Sequence, residues 1–154
     1  MSTANDTRLH ATVVVEHGGR KVALDAMLAP LIREIWLAGL ATIMCCQEIA
    51  PGVAWIEFED FGDLKRFLDL VVVFEDAPDA VYDRAVSYFC APEPEGLWQY
   101  TLTPHDEGDA DENGGPEGRP TNIVFNAGLQ FPQTDLSILL QRLKSHNRNH
   151  RPSA

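Results

Sequence analysis

Between Leu24 and Leu40 the apolar residues fall at Leu24, Met27, Leu28, Leu31, Ile32, Ile35, Trp36 and Leu40. Steps of three and four lay one broad stripe along an α-helix. Asp25 can cap that helix, with Pro30 in its second turn. Alternatively it starts near Ala29, where Pro30 at the first position loses no hydrogen bond, and Gly39 supplies a left-handed stop. The stretches "ATIMCCQ" and "VAWIEFE" alternate with period two around the turn-forming "EIAPG" and predict an antiparallel hairpin. Asp60 or Asp63 then caps a helix with Phe61, Leu64, Phe67, Leu68 and Val71 on one side, and Val81, Ala85, Val86 and Phe89 predict another, stopped by Pro92 and Pro94.

Further on, "LWQYTLT" reads as a strand and "TNIVFNAGLQF" as a longer one, with Ile123, Phe125, Ala127, Leu129 and Phe131 on one face and Asn126, Gly128 and Gln130 on the other. Thr134 or Asp135 caps a last helix carrying Leu136, Leu139, Leu140 and Leu143 inward. Around His17-Gly18-Gly19, "TVVVE" and "KVAL" can add a small hairpin.

Each half thus runs helix, strand, strand, helix. Phe58 leads into "DLKRFLDLV" as Phe131 leads into "DLSILLQRL". A duplication would produce this match, and so would any capped amphipathic helix leaving a strand. The fold class is α+β: an antiparallel sheet of four or five strands, helices mainly on one face, and two pseudo-equivalent halves.

The length of 154 residues and the 45% hydrophobic content suit a single domain over residues 1–154. The formal charge of -11 is concentrated: six of the 23 acidic residues lie between His105 and Gly118, where no basic residue occurs, leaving 17 acids against 12 bases elsewhere. Residues 105–118 therefore read as a flexible acidic loop, and residues 146–154 as a basic C-terminal tail that frays from the last helix. An acidic inhibitor that imitates nucleic acid is one function class such charge brings in, though its confinement to one loop weighs against it. Direct nucleic-acid binding is not expected. Without a signal segment or a long apolar run, the expected compartment is the cytoplasm, with Cys45, Cys46 and Cys90 as thiols.

Chemistry gathers at "TIMCCQE". Adjacent Cys45 and Cys46 point to opposite faces of a strand, so they are poor disulfide partners and cannot share one ion. His146 and His150 have a chelating i, i+4 spacing but sit in the tail, and the acidic loop lacks the fixed alternation of a calcium loop, so no metal site and no cofactor is expected. A reactive Cys46 needs a nearby cation or helix N-terminus, and none is adjacent in sequence; His17 or His105 would have to supply it. Gln47 and Glu48 follow the apolar run abruptly and read as the rim of a pocket. Thr42, Met44 and Cys46 share one face, next to Trp55, Glu57 and Glu59 on the partner strand, and the open face completed by Asn126 and Gln130 is a natural binding surface.

"PLIREIWLAGLATIMCCQE", "GVAWIEFEDFGDLKRFLDLV" and "FNAGLQFPQTDL" together resemble an uncharacterised family of small bacterial and phage-encoded proteins. That family's pattern is a helix ending in Leu-Trp and Gly, a Thr-x-x-Ser-Cys-Gln-Glu/Gly motif, an aromatic strand with Glu-Phe, and an Arg-Phe-Pro-x-x-Asp-Leu turn. By resemblance Thr42, Cys46, Gln47 and Glu48 hold the motif positions. Cys45 departs from its Ser, and Gln130 from its Arg, which removes a basic anchor for an anion. The resemblance brings no activity. The expected function is a small non-catalytic binding or accessory protein for an unknown small molecule or protein, with ligand contacts from Thr42, Cys46, Gln47, Glu48, Trp55, Glu57, Asn126 and Gln130. The alternative is a thiol-dependent enzyme or redox protein using Cys46 and Glu48.

Overall fold

The computed structural model describes residues 10–77, 80–86, 96–107 and 122–150. The acidic segment from residue 108 to 118, Phe89, Cys90 and the tail after His150 lie outside the described residues. The described elements are β1 (Thr12–His17), β2 (Arg20–Asp25), α1 (Ala29–Leu37), β3 (Thr42–Ala50), β4 (Val53–Phe58), α2 (Phe61–Val71), α3 (Val81–Val86), β5 (Gln99–Asp106), β6 (Ile123–Pro132) and α4 (Leu136–His150), with a 3₁₀ turn at Gln133–Asp135 before α4. The fold is α+β. β3-β4-β6-β5 form a four-stranded antiparallel sheet, and β1 and β2 form a separate two-stranded one.

The small hairpin is present because Gly18 and Gly19, at φ 57° and 75°, supply the two left-handed residues of the tight connection that suits strand twist. Leu24 belongs to β2. α1 therefore begins at Ala29, with Pro30 in its first turn where no intrahelical N–H is needed. Gly39, at φ 76°, ends it as expected, with the Leu40 N–H turning back to Ile35 O at 3.2 Å. Asp60 caps α2 by accepting from the Asp63 N–H at 2.8 Å; Asp63 in turn accepts from the Ala41 N–H at 3.0 Å and ties the start of β3 to α2.

The core follows the alternation of the central strands. Ala54, Ile56 and Phe58 of β4 and Ala127, Leu129 and Phe131 of β6 are completely buried under the helices. Phe58 pairs with Ala127 and Phe131 with Ala54, so each large ring lies beside a small residue of the other half. The arrangement places α1-β3-β4-α2 and α3-β5-β6-α4 around the β4–β6 seam.

Two expectations are corrected. Asp135 does not serve as a helix cap: it is buried below α3 and β5, accepting from Arg84 Nε and Nη2 at 3.1 and 2.6 Å and from Trp98 Nε1 at 2.9 Å. Residues 146–150 do not fray. α4 runs to His150 because Asn147, only 8% exposed, donates to Glu34 O and Oε2 at 3.0 and 2.7 Å and fastens the helix end to α1. No helix among the described residues is long and apolar enough to cross a membrane.

Candidate functional site

The residues singled out from the sequence divide among three places. Thr42 is the first. A register shift between Thr42 and Met44 breaks the alternation of β3, so Thr42 stands opposite Phe58 on the helix side, while Met44 and Cys46 stand opposite Glu57 and Trp55 on the open side. The expectation that Thr42, Met44 and Cys46 share a face is therefore corrected by a bulge. Trp36 Nε1 donates to Thr42 Oγ1 at 2.9 Å, and the Trp36 ring stacks on His17 with centroids 4.2 Å apart. These groups line a cleft of about 480 Å³ between the small hairpin and the start of β3.

The second place is the edge of β3 against the end of β2. The Gln47 N–H donates to Asp25 Oδ2 at 2.9 Å, and Gln47 O accepts from Gln133 Nε2 at 2.5 Å. The Gln47 amide accepts from the Met27 N–H at 3.1 Å through Oε1 and lies 3.2 Å from His10 Nδ1 through Nε2. Gln47 is thus a structural tether between β3 and the hairpin, engaged at its backbone and at both side-chain atoms, and the reading of it as a free rim residue is corrected on that ground. Donor atoms of His10, Asp25 and Cys46 all lie within 4.8 Å of one another beside it. Cys45 and Cys46 are free thiols. Burial, with the Asp25 carboxylate and Cys46 next in effect, pushes the Cys45 thiol up to about 11, so Cys45 is a packing residue and a poor nucleophile.

The third place is the open face of the large sheet. Trp55 pairs with Gln130 and Glu57 with Gly128, while β5 brings Gln99, Thr101 and Thr103 opposite Gln130, Gly128 and Asn126. Gly128 lets the strands' side chains close over the backbone: a Cβ there would come 2.5 Å from Thr101 Oγ1 and 3.2 Å from Trp55 Nε1. Glu57 is only 9% exposed as a residue, and its carboxylate makes no hydrogen bond or ion pair among the described residues, although its oxygens are not among the fully buried atoms. Asn126 Oδ1 and His105 Nδ1 are buried without a partner on the same face. Gln130 also borders a second cleft, of about 530 Å³, at the β3–β4 turn with Gly52, Gln99 and Pro132.

No family model matches the chain, and no solved structure matches it. The chain is similar to the uncharacterized protein R428 of Acanthamoeba polyphaga mimivirus, with 28% identity over 132 residues, which is 83% of this chain and 64% of that protein. The chain therefore spans a little under two thirds of that relative's length, and the relative's name assigns no activity.

Trp55, Glu57, Asn126 and Gln130 come together as the alternation of β4 and β6 implies. Cys46 and Gln47 join a different group, with His10 and Asp25, which sequence reading passed over. His10 precedes β1, Asp25 ends β2 and Cys46 lies in β3, so no short spacing marks them. The usable signal was the Gly18–Gly19 hairpin itself: folding it back brings both of its ends, His10 and Asp25, to one side of the chain. His17 and His105, the histidines considered for Cys46, lie elsewhere: one on Trp36, the other on β5.

Proposed function

We propose that the chain is a small non-catalytic binding module whose ligand surface is the open sheet face around Trp55, Glu57, Asn126 and Gln130. The observation that carries the reading is Glu57. Its side chain lies largely within the sheet surface, and its carboxylate makes no hydrogen bond or ion pair among the described residues, so it stands available to a donor group of a ligand. Trp55 beside it offers a flat apolar surface with an N–H, and Asn126 and Gln130 offer amides. The matching ligand carries a cationic or multiply hydroxylated group for Glu57 and a flat or apolar part for Trp55. Free thiols at Cys45 and Cys46 fit a reducing cytoplasmic setting. The link to phage and bacterial proteins rests on the motif resemblance, to which the mimivirus relative adds a viral source.

Native mass spectrometry of protein purified from its own cell tests the reading. A bound mass should appear with the wild-type chain and be lost with Glu57→Gln and with Trp55→Ala. Retention of the same mass by both variants places the ligand elsewhere and ends the open-face reading.

A second reading, a thiol-dependent activity of Cys46, is favoured by the nearness of His10 and Asp25 to its sulfur. It requires alkylation of Cys46 at neutral pH to outpace that of an ordinary thiol and to slow in His10→Ala.

A further inference from the structure

We infer that His10, Asp25 and Cys46 form a binding site for a borderline divalent ion of the zinc class. One imidazole, one carboxylate and one thiol, from three separate segments of the chain, converge within 4.8 Å. Nitrogen, oxygen and sulfur donors in one cluster of three select zinc-like ions over magnesium or calcium, which favour oxygen alone, and three protein ligands leave a fourth position for water. The Asp25 donor is also oriented by a neighbour, as ligands of bound metals commonly are. Gln47 performs that task through its backbone, whose N–H holds Asp25 Oδ2 at 2.9 Å.

The chemistry balances simply. The Cys46 thiol gives up its proton to solvent, the thiolate and the Asp25 carboxylate offset the ion's two charges, and the neutral imidazole completes the set. Because His10 lies just before β1, Asp25 ends β2 and Cys46 belongs to β3, the ion joins the two-stranded sheet to the edge of the four-stranded one. The site adjoins the open face, since Cys46 stands opposite Trp55, but uses none of the residues given to that face's ligand and stands whether or not that face binds one.

Cobalt(II), a spectroscopic substitute for zinc, provides the test. Reduced, metal-free full-length protein is titrated with Co²⁺ and then with Zn²⁺. One equivalent of Co²⁺ should bind with a thiolate-to-metal charge-transfer band, released stoichiometrically by Zn²⁺. Cys45→Ser should keep the band and Cys46→Ser should lose it. His10→Ala, at the margin of the fold, should weaken Zn²⁺ binding at least tenfold, since it removes one of three protein ligands. Circular dichroism checks each variant for folding. A folded wild-type chain that gives no band, a band that survives Cys46→Ser, or Zn²⁺ affinity unchanged in His10→Ala overturns the inference.

Discussion

The side chain of Gln47 accepts a hydrogen bond from the backbone N–H of Met27 at 3.1 Å, joining β3 to the segment between the small hairpin and α1. Gln47→Ala leaves that N–H without its partner and frees His10, so the metal-free protein should lose about 1–2 kcal/mol of stability. Urea denaturation measures the loss, and amide exchange should show it concentrated in β1 and β2. A change within about 0.5 kcal/mol, as for an ordinary surface residue, would return Gln47 to the role of a pocket rim.

Period-two alternation in "VAWIEFE" and "TNIVFNAGLQF" placed the core residues correctly, because the helices cover only one face of these central strands and the period leaves no freedom. The same reasoning failed at Thr42, where a single extra residue in β3 reverses the face and nothing in "ATIMCC" marks it. Pro30 carried the information that moved the start of α1 to Ala29, since a proline suits a first turn and breaks an interior. Asp135 and Asn147 look like an ordinary cap and an ordinary tail residue. Their roles depend on Arg84 and Glu34, distant in sequence, and such long-range pairs have no local signature. The same holds for His10 and Asp25 beside Cys46.

Asp135 anchors the second half of the molecule. Its carboxylate is 3% exposed and held between the guanidinium of Arg84 and the indole N–H of Trp98. Arg84→Ala removes the counter-charge and leaves the carboxylate buried with the indole, and should cost about 3–5 kcal/mol in a denaturant titration. Trp98→Phe keeps the ion pair and most of the packing; it should cost visibly less. If the two variants lose equal stability, the charge pair contributes little beyond the ring.

Stability should also fall in alkali for a reason specific to β3. The Cys45 thiol is moved from its ordinary 9.0 to about 11, chiefly by burial. A raised value means the folded state favours the neutral thiol. Its contribution is therefore fully present below pH 9 and is lost as pH climbs towards 11, where the unfolded chain ionises first. Tyr100, raised by burial from 10.0 to about 12, adds a loss at slightly higher pH. Cys45→Ala should flatten the part of the melting-temperature profile between pH 9 and 11. An unchanged profile would assign the alkaline loss to other groups.

Glu57 supplies the prediction that separates a functional residue from a structural one. Its neighbours across β6 and β3 are Gly128 and Met44, neither of which offers a side-chain donor, and its carboxylate makes no hydrogen bond or ion pair among the described residues. An acceptor with no partner in the fold, set beside Trp55 on the open face, is free to receive a donor from a ligand. Glu57→Gln keeps the shape and removes the charge. With no partner lost, it should leave the melting temperature of the ligand-free protein almost unchanged, within about 0.5 kcal/mol of stability. The same substitution should abolish any stabilisation produced by the ligand recovered with the wild-type chain. Differential scanning calorimetry of both proteins, with and without that ligand, reads both effects. A variant that melts lower than wild type when ligand-free would mean the carboxylate already has a stabilising partner, and the case for Glu57 as the ligand's anchor would fall with it.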